Sequence, residues 1–352
     1  MRKHVDPSAP VPLRMMAAKS LVPLSPSDMA GALYLLTFDP DAGVRETANK
    51  SAADLPDRIL STALRDEGVP APVLGFFLIL LGEKEQYAEM LVLNATTPDT
   101  AVAGLASRCN QRIAEIIGQN QLRLLRDENI VRELCTNPNA SPALLDGVCD
   151  FAVRSGLILA DVPQMRAARV RIFGAEAAEK PPDPGLTAEQ VLAEHAELSD
   201  ESARPLEEGK RVSINQKIMK MSVAEKIKLA TKGNKEARGL LIRDSNKLVA
   251  VAVIRSPRIT DGEVLSCANS KAMIDDVLRV IYSNREWTKS YAIRLALVKN
   301  AKVPVAIVMR FLNTLRDSEL KDLSRNKNVS SSVQGMAKKM VEKKTKPKQE
   351  EK

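Results

Sequence analysis

Aromatic side chains are scarce in this chain. Six Phe, four Tyr and one Trp make up 3% of 352 residues. The core must therefore be built from Leu, Ala, Ile, Val and Met, which suit closely packed helices. A β-sandwich or barrel needs more aromatic and β-branched side chains. Sixteen glycines also leave few for β-turns. Long apolar runs are missing: nowhere do about 18 uninterrupted apolar residues occur, so no transmembrane helix is expected. The longest run, Val73–Leu81, is interrupted by Gly75 and is short enough for a buried core helix. Basic residues open the chain, but Pro10 and Pro12 follow with no long apolar stretch, and a signal peptide is not expected.

Chemistry-bearing residues are equally sparse. Cys109, Cys135, Cys149 and Cys267 are widely spaced, with no C-x-x-C pattern, and read as reduced, mostly buried thiols of a cytoplasmic protein. Only two histidines, His4 and His195, are available to a metal site. Phosphate-binding loops, dinucleotide fingerprints, H-E-x-x-H and G-x-S-x-G are all absent, so no catalytic residue, cofactor or metal is expected. Paired acids such as Asp275–Asp276 and Glu207–Glu208 occupy adjacent positions that face different ways on a helix. Trp287 and Tyr291, at i, i+4 on one helix face with Tyr282 nearby, are expected to pack between helices rather than to stack bases.

What is present is charge, unevenly placed, and helical periodicity. The net charge is +8, yet residues 209–352 hold 32 basic and 14 acidic residues, while residues 179–208 hold two basic and nine acidic ones. Within the latter, Pro181-Pro182-Asp183-Pro184-Gly185 stops any helix and marks the best boundary. The expected organisation is a flexible N-terminus (1–19), a helical array (20–178), a Pro/acidic linker (179–208), a basic helical array (209–340) and a disordered Lys-rich tail (341–352). Thr187 and Gln190 form a capping-box pattern for one exposed helix inside the linker.

Short helices separated by Asn, Pro, Asp and Ser recur throughout. Asn94 and Asn137 lie 43 residues apart, and Ser256 and Asn300 lie 44 apart, each interval holding about two helices. Asn or Ser is expected to end one helix in the left-handed conformation, with Ser, Thr or Asp capping the next. Apolar stripes at i, i+3, i+4, i+7 (Leu74, Phe77, Leu78, Leu81; Ile274, Val277, Leu278, Ile281; Val305, Val308, Met309, Leu312) read as buried helix faces.

One segment is sharper. Asp39-Pro40-Asp41-Ala42-Gly43-Val44-Arg45-Glu46-Thr47-Ala48 resembles the HEAT-repeat signature D-x-D-x-x-V-R-x-x-A. Weaker echoes start at Asp127 and Asp244. The resemblance implies an all-α fold: an α-solenoid of degenerate HEAT-like helical hairpins in two arrays. It also implies that Asp39 or Asp41 closes a turn and that Arg45 reaches a neighbouring unit's acidic turn.

The dense run Lys210, Arg211, Lys217, Lys220, Lys226, Lys228, Lys232, Lys235, Arg238 and Arg243 is the remaining feature above background. Lys217, Lys220, Lys228, Lys232, Lys235 and Arg238, with Arg285 and Lys289 further on, are the candidate contacts to a polyanion or partner. The function expected is a non-enzymatic cytoplasmic scaffold that binds a protein partner, which the basic surface would suit if acidic. The alternative is nucleic-acid binding by the basic array, with or without a role in DNA repair. A third reading leaves the charge to solubility and to the acidic linker.

Overall fold

The computed structural model describes residues 2–176, 185–202, 205–326 and 329–345. Among them are 24 α-helices and no strand. None is long and apolar enough to cross a membrane. Contacts divide the chain into two compact units, Met1–Pro184 and Gly185–Lys352.

Unit 1 contains α1 (Val11–Ala18), α2 (Pro26–Leu36), α3 (Ala42–Ala53), α4 (Asp57–Leu64), α5 (Ala71–Leu81), α6 (Glu85–Leu93), α7 (Asp99–Ala106), α8 (Gln111–Gln119), α9 (Gln121–Arg126), α10 (Glu128–Thr136), α11 (Pro142–Arg154) and α12 (Pro163–Phe173). Polar caps start several of them. Ser25, Asp41, Asn110 and Ser141 each accept a bond from the main-chain N–H three residues on. Proline follows Ser25 and Ser141 at the first helical position, where its missing N–H costs nothing. Packing proceeds along the chain: α2 meets α4, α3 meets α5, α4 meets α6, α5 meets α7 and α6 meets α8. Past the short α9, α7 meets α10 and α8 meets α11. The α5 stripe Leu74, Phe77, Leu78, Leu81 is buried as its spacing predicts.

In unit 2 the same succession runs from Ala188–Glu194 onto Val223–Lys232, then Lys247–Ile254, then Asp275–Ser283. Its C-terminal core gathers Val277, Leu278, Ile281, Leu297, Val308, Phe311 and Leu312. The buried face of Val305–Leu312 is not the expected one. Val305 and Met309 are exposed, whereas Phe311 is buried, because the helix presents its Val308–Phe311–Leu312 edge to the core.

Four buried asparagines tie one helix end to another along the chain. The Asn94 amide donates to the carbonyls of Leu64 and Asp66 at 2.8 and 3.2 Å, and that of Asn137 to Ala106 and Cys109 at 2.7 and 3.0 Å. Asn234 donates to Glu197 and Asp200 at 2.6 and 2.8 Å, and Asn300 to Ala268 and Ser270 at 2.9 and 3.1 Å. Every one of these side-chain oxygens accepts from the main-chain N–H two residues on. One amide thus binds two carbonyls at or just past the end of an earlier helix, and shapes its own turn as well. This replaces the left-handed role expected of these residues. Asn94, Asn137 and Asn300 end their helices in extended backbone, with ψ of 117°, 118° and 116°. Among the described residues, Ser20 is the one non-glycine with positive φ.

Asp39 is the carboxylate counterpart. It is buried, accepts from the Asp41 N–H at 2.8 Å, and pairs with the guanidinium of Arg14 on α1. Asp41 caps α3 by accepting from the Val44 N–H at 3.0 Å. Arg45 does not reach a neighbouring acidic turn. It donates to the carbonyls of Asp39 and Pro40, at 2.6 and 3.0 Å, in its own turn. The ion pair across helices comes instead from the preceding side, through Arg14. Asp244 repeats the arrangement, accepting from the Asn246 N–H and from Lys226 Nζ, both at 2.8 Å.

Three boundaries differ from expectation. Residues 11–18 are helical with Arg14, Ala17 and Ala18 buried, although 1–19 reads as flexible. The segment expected as a linker carries the Thr187–Gln190 capping box, but its helix is not merely exposed: Ala188 and Val191, with Leu198 beyond, are fully buried in unit 2. The last helix continues through Thr345, into the expected tail, and residues 346–352 lie outside the described ones.

Candidate functional site

The acidic segment of unit 2 lies against the basic run, and much of that run is spent there. Lys217 pairs with Glu194, Lys232 with Glu189 at 3.0 Å, and Lys210 with Glu197 at 4.0 Å. Hydrogen bonds from Lys232 and Lys217 hold the Glu189 and Glu194 carboxyls below their usual range. Lys228 pairs with Glu225 at 3.0 Å.

Arg238 is not at the surface at all. It is fully buried, with its guanidinium donating to Glu201 at 2.6 Å, to Glu263 at 2.8 Å and to the Gly233 carbonyl at 3.2 Å. Burial works against its charge, but the Glu263 and Glu201 carboxylates outweigh it and hold the guanidinium protonated. Glu263 is likewise pushed up by burial, yet Arg238 and Thr260 bring its carboxyl below the ordinary value. Arg238 is therefore a packing residue, with its charge fully committed.

Other candidates stand apart. Lys220 and Arg285 are exposed, and Lys289 pairs with Glu286 at 2.6 Å on the short helix Arg285–Lys289. Lys235 is exposed, while its main-chain N–H donates to Glu201 at 3.2 Å. Trp287 and Tyr291 fall on separate helices, broken at Ser290, and with Tyr282 they are half-buried against the C-terminal core. Tyr291 Oη accepts from the Arg316 N–H at 3.1 Å. These rings pack and do not form an open stacking platform.

Two open grooves flank Lys235–Leu241. The larger, about 900 Å³, has an apolar floor that includes Leu206, Val212, Met219 and Leu240, with Arg211 and Arg243 on its rim. The smaller, about 370 Å³, shares Arg211 and Arg243 and adds Lys235. Val212 and Met219 are 54% and 70% exposed. Among the described residues, the Arg211 and Arg243 guanidinium groups have no carboxylate partner. The charged run contains both arginines, but the apolar floor was not anticipated. Its signal was a second apolar pair, Val212 and Met219 at i, i+7, on a helix that already buries Ile214 and Ile218.

No group of three or more His, Cys, Asp or Glu among the described residues could hold a metal ion. No family model matches the chain, and neither curated proteins nor solved structures give a match.

Proposed function

We propose that this chain is a non-enzymatic cytoplasmic scaffold, an α-solenoid of HEAT-like helical hairpins, that binds an acidic protein segment in the groove beside Lys235–Leu241. The observation that carries the reading is the groove itself: exposed Val212 and Met219 between the uncommitted Arg211 and Arg243. An amphipathic segment with carboxylates along one edge satisfies both features. Glu208 and Asp244 also line the groove, and Asp244 is already neutralised by Lys226. The succession of hairpins, the asparagine junctions and the Asp39–Asp41 turn support the solenoid.

Nucleic-acid binding is the second reading, and Arg211, Lys235 and Arg243 around one groove favour it. Against it, Lys217, Lys228, Lys232 and Arg238 are held by carboxylates, and no aromatic platform accompanies them. A photo-crosslinker at position 219, used in nuclease-treated lysate at about 150 mM salt, separates the readings. The expected result is a discrete protein adduct that Arg211→Glu with Arg243→Glu abolishes. No adduct beyond a control at Ile79, an exposed apolar residue of α5, together with duplex retardation at about 50 mM salt that fades by about 200 mM, would overturn the scaffold reading in favour of the second.

A further inference from the structure

Among the four cysteines, two are neighbours in space. Cys135 sits in the last turn of α10 and Cys149 in the middle of α11. Their sulfurs are 3.7 Å apart, within hydrogen-bonding contact, and both are free thiols. Cys149 is fully buried, whereas Cys135 keeps partial access to solvent. We propose that Cys135 and Cys149 form a reversible dithiol–disulfide site in which Cys135 is the thiol that meets a peroxide oxidant and Cys149 resolves it.

The chemistry closes on these two side chains and one peroxide. The Cys135 thiolate attacks a peroxide oxygen, the O–O bond breaks, and the leaving hydroxide becomes water on protonation. Cys135 is then a sulfenic acid. The Cys149 sulfur attacks the Cys135 sulfur, the S–O bond breaks, and the departing hydroxide takes the Cys149 proton as a second water. Two thiols have lost two electrons, and one peroxide has become two waters.

The surroundings assign the order. The hydrogen bond shared with Cys149 favours the Cys135 thiolate, against the opposing effect of burial. The same hydrogen bond, with burial, holds the Cys149 thiol protonated. Thiolate character and access therefore coincide at Cys135, and both are what a peroxide needs. The other two thiols are unlike this pair. Burial pushes Cys109 and Cys267 each up to about 11, and among the described residues neither is hydrogen-bonded to a second thiol.

Closing the bond would pin α10 to α11 at a place where two other ties meet. The Cys135 carbonyl accepts from Gln164 Nε2 on α12 at 3.1 Å, and Asn137, two residues on, holds the end of α7. The disulfide would therefore stiffen four helices of unit 1 together.

The test uses full-length protein treated with hydrogen peroxide and digested without reductant. The expected product is one intramolecular Cys135–Cys149 peptide pair, reversed by dithiothreitol. It should form equally in the Cys109→Ser/Cys267→Ser variant, which leaves the pair untouched. Cys149→Ser should accumulate a dimedone-reactive sulfenic acid at Cys135, and Cys135→Ser should form no sulfenic acid and no link. The oxidised wild type should unfold about 5–10 °C higher than the reduced form. Oxidation of Cys135 without a link to Cys149 in the Cys109→Ser/Cys267→Ser variant, or links formed only between molecules, would overturn the proposal.

Discussion

The Arg123 guanidinium donates to the main-chain carbonyl of Asn94 at 2.5 Å, while the amide of Asn94 reaches back to Leu64 at 2.8 Å. The ends of α4 and α6 are thereby joined to α9, with Asn94 as the link between Leu64 and Arg123. Arg123 is buried on α9, and it also donates to the Thr97 carbonyl at 2.8 Å and to Asp99 at 2.5 Å. Arg126 adds a second guanidinium to the same Asp99.

Removing Arg123 should therefore cost far more than removing an ordinary surface charge. Arg123→Ala strands the Thr97 carbonyl, takes one of two donors from the Asn94 carbonyl and leaves Asp99 with one partner. Urea denaturation should show a loss of about 3–5 kcal/mol. Arg112→Ala, whose pairs with Glu85 and Glu89 are exposed, should lose less than about 1 kcal/mol. Equal losses would mean that the junction does not carry the stacking.

Each asparagine junction should behave as a buried donor with two acceptors. Asn137→Ala and Asn300→Ala should each destabilise by about 2–3 kcal/mol. Asn269→Ala, at an exposed position, should stay within about 0.5 kcal/mol of wild type. Asn137→Asp should be no milder than Asn137→Ala, because a carboxylate accepts and cannot donate to the Ala106 and Cys109 carbonyls.

Glu263 gives unit 2 an acid-sensitive contact. Its folded carboxyl lies below the ordinary value of 4.5, with burial opposing the shift and Arg238 and Thr260 producing it. A group depressed in this way contributes stability that is present above its unfolded value and is lost as pH falls through the folded one. Thermal unfolding followed from about pH 6 to about pH 3 should fall more steeply for wild type than for Glu263→Gln. The glutamine keeps a capping partner for Thr260 but does not titrate. Parallel curves would show that Arg238 does not hold this carboxylate.

The start of unit 2 can be tested with two fragments. One beginning at residue 185 retains Ala188, Val191 and Leu198, all fully buried, and the Glu197 and Asp200 carbonyls that Asn234 holds. One beginning at residue 209 loses them. The shorter fragment should be less stable by about 5 kcal/mol or should fail to fold, since each buried Val or Leu side chain is worth about 1.5–3 kcal/mol. Equal chemical stability would place the acidic segment outside the folded unit.

Local rules were legible in the sequence where one residue type carries one physical role. The Thr187–Gln190 box, the Asp41 cap and the α5 stripe all follow from spacing within a single helix. Asparagine marked the right boundaries for the wrong reason. Its backbone preference is local and could be read, whereas its bonds to carbonyls about thirty residues earlier depend on how the helices pack. The acidic segment misled in the same way. Its composition reads as a solvated linker, but four of its carboxylates meet cations on the helices that follow. The Cys135–Cys149 contact was beyond reach, because it depends on the rotation of two helices about their axes. In the groove, counting charges over-weighted Arg238 and missed Val212 and Met219, since burial decides which cations remain free.

The Asn94, Asn234 and Asn300 junctions grip main-chain carbonyls alone, and every residue type has one; Asn137 adds the Cys109 sulfur. The clamp is therefore blind to the identity of the side chains on the helix it holds. Selection can rewrite those side chains while the joint keeps its geometry. Such a joint survives sequence drift that would break a contact defined by a side-chain pair.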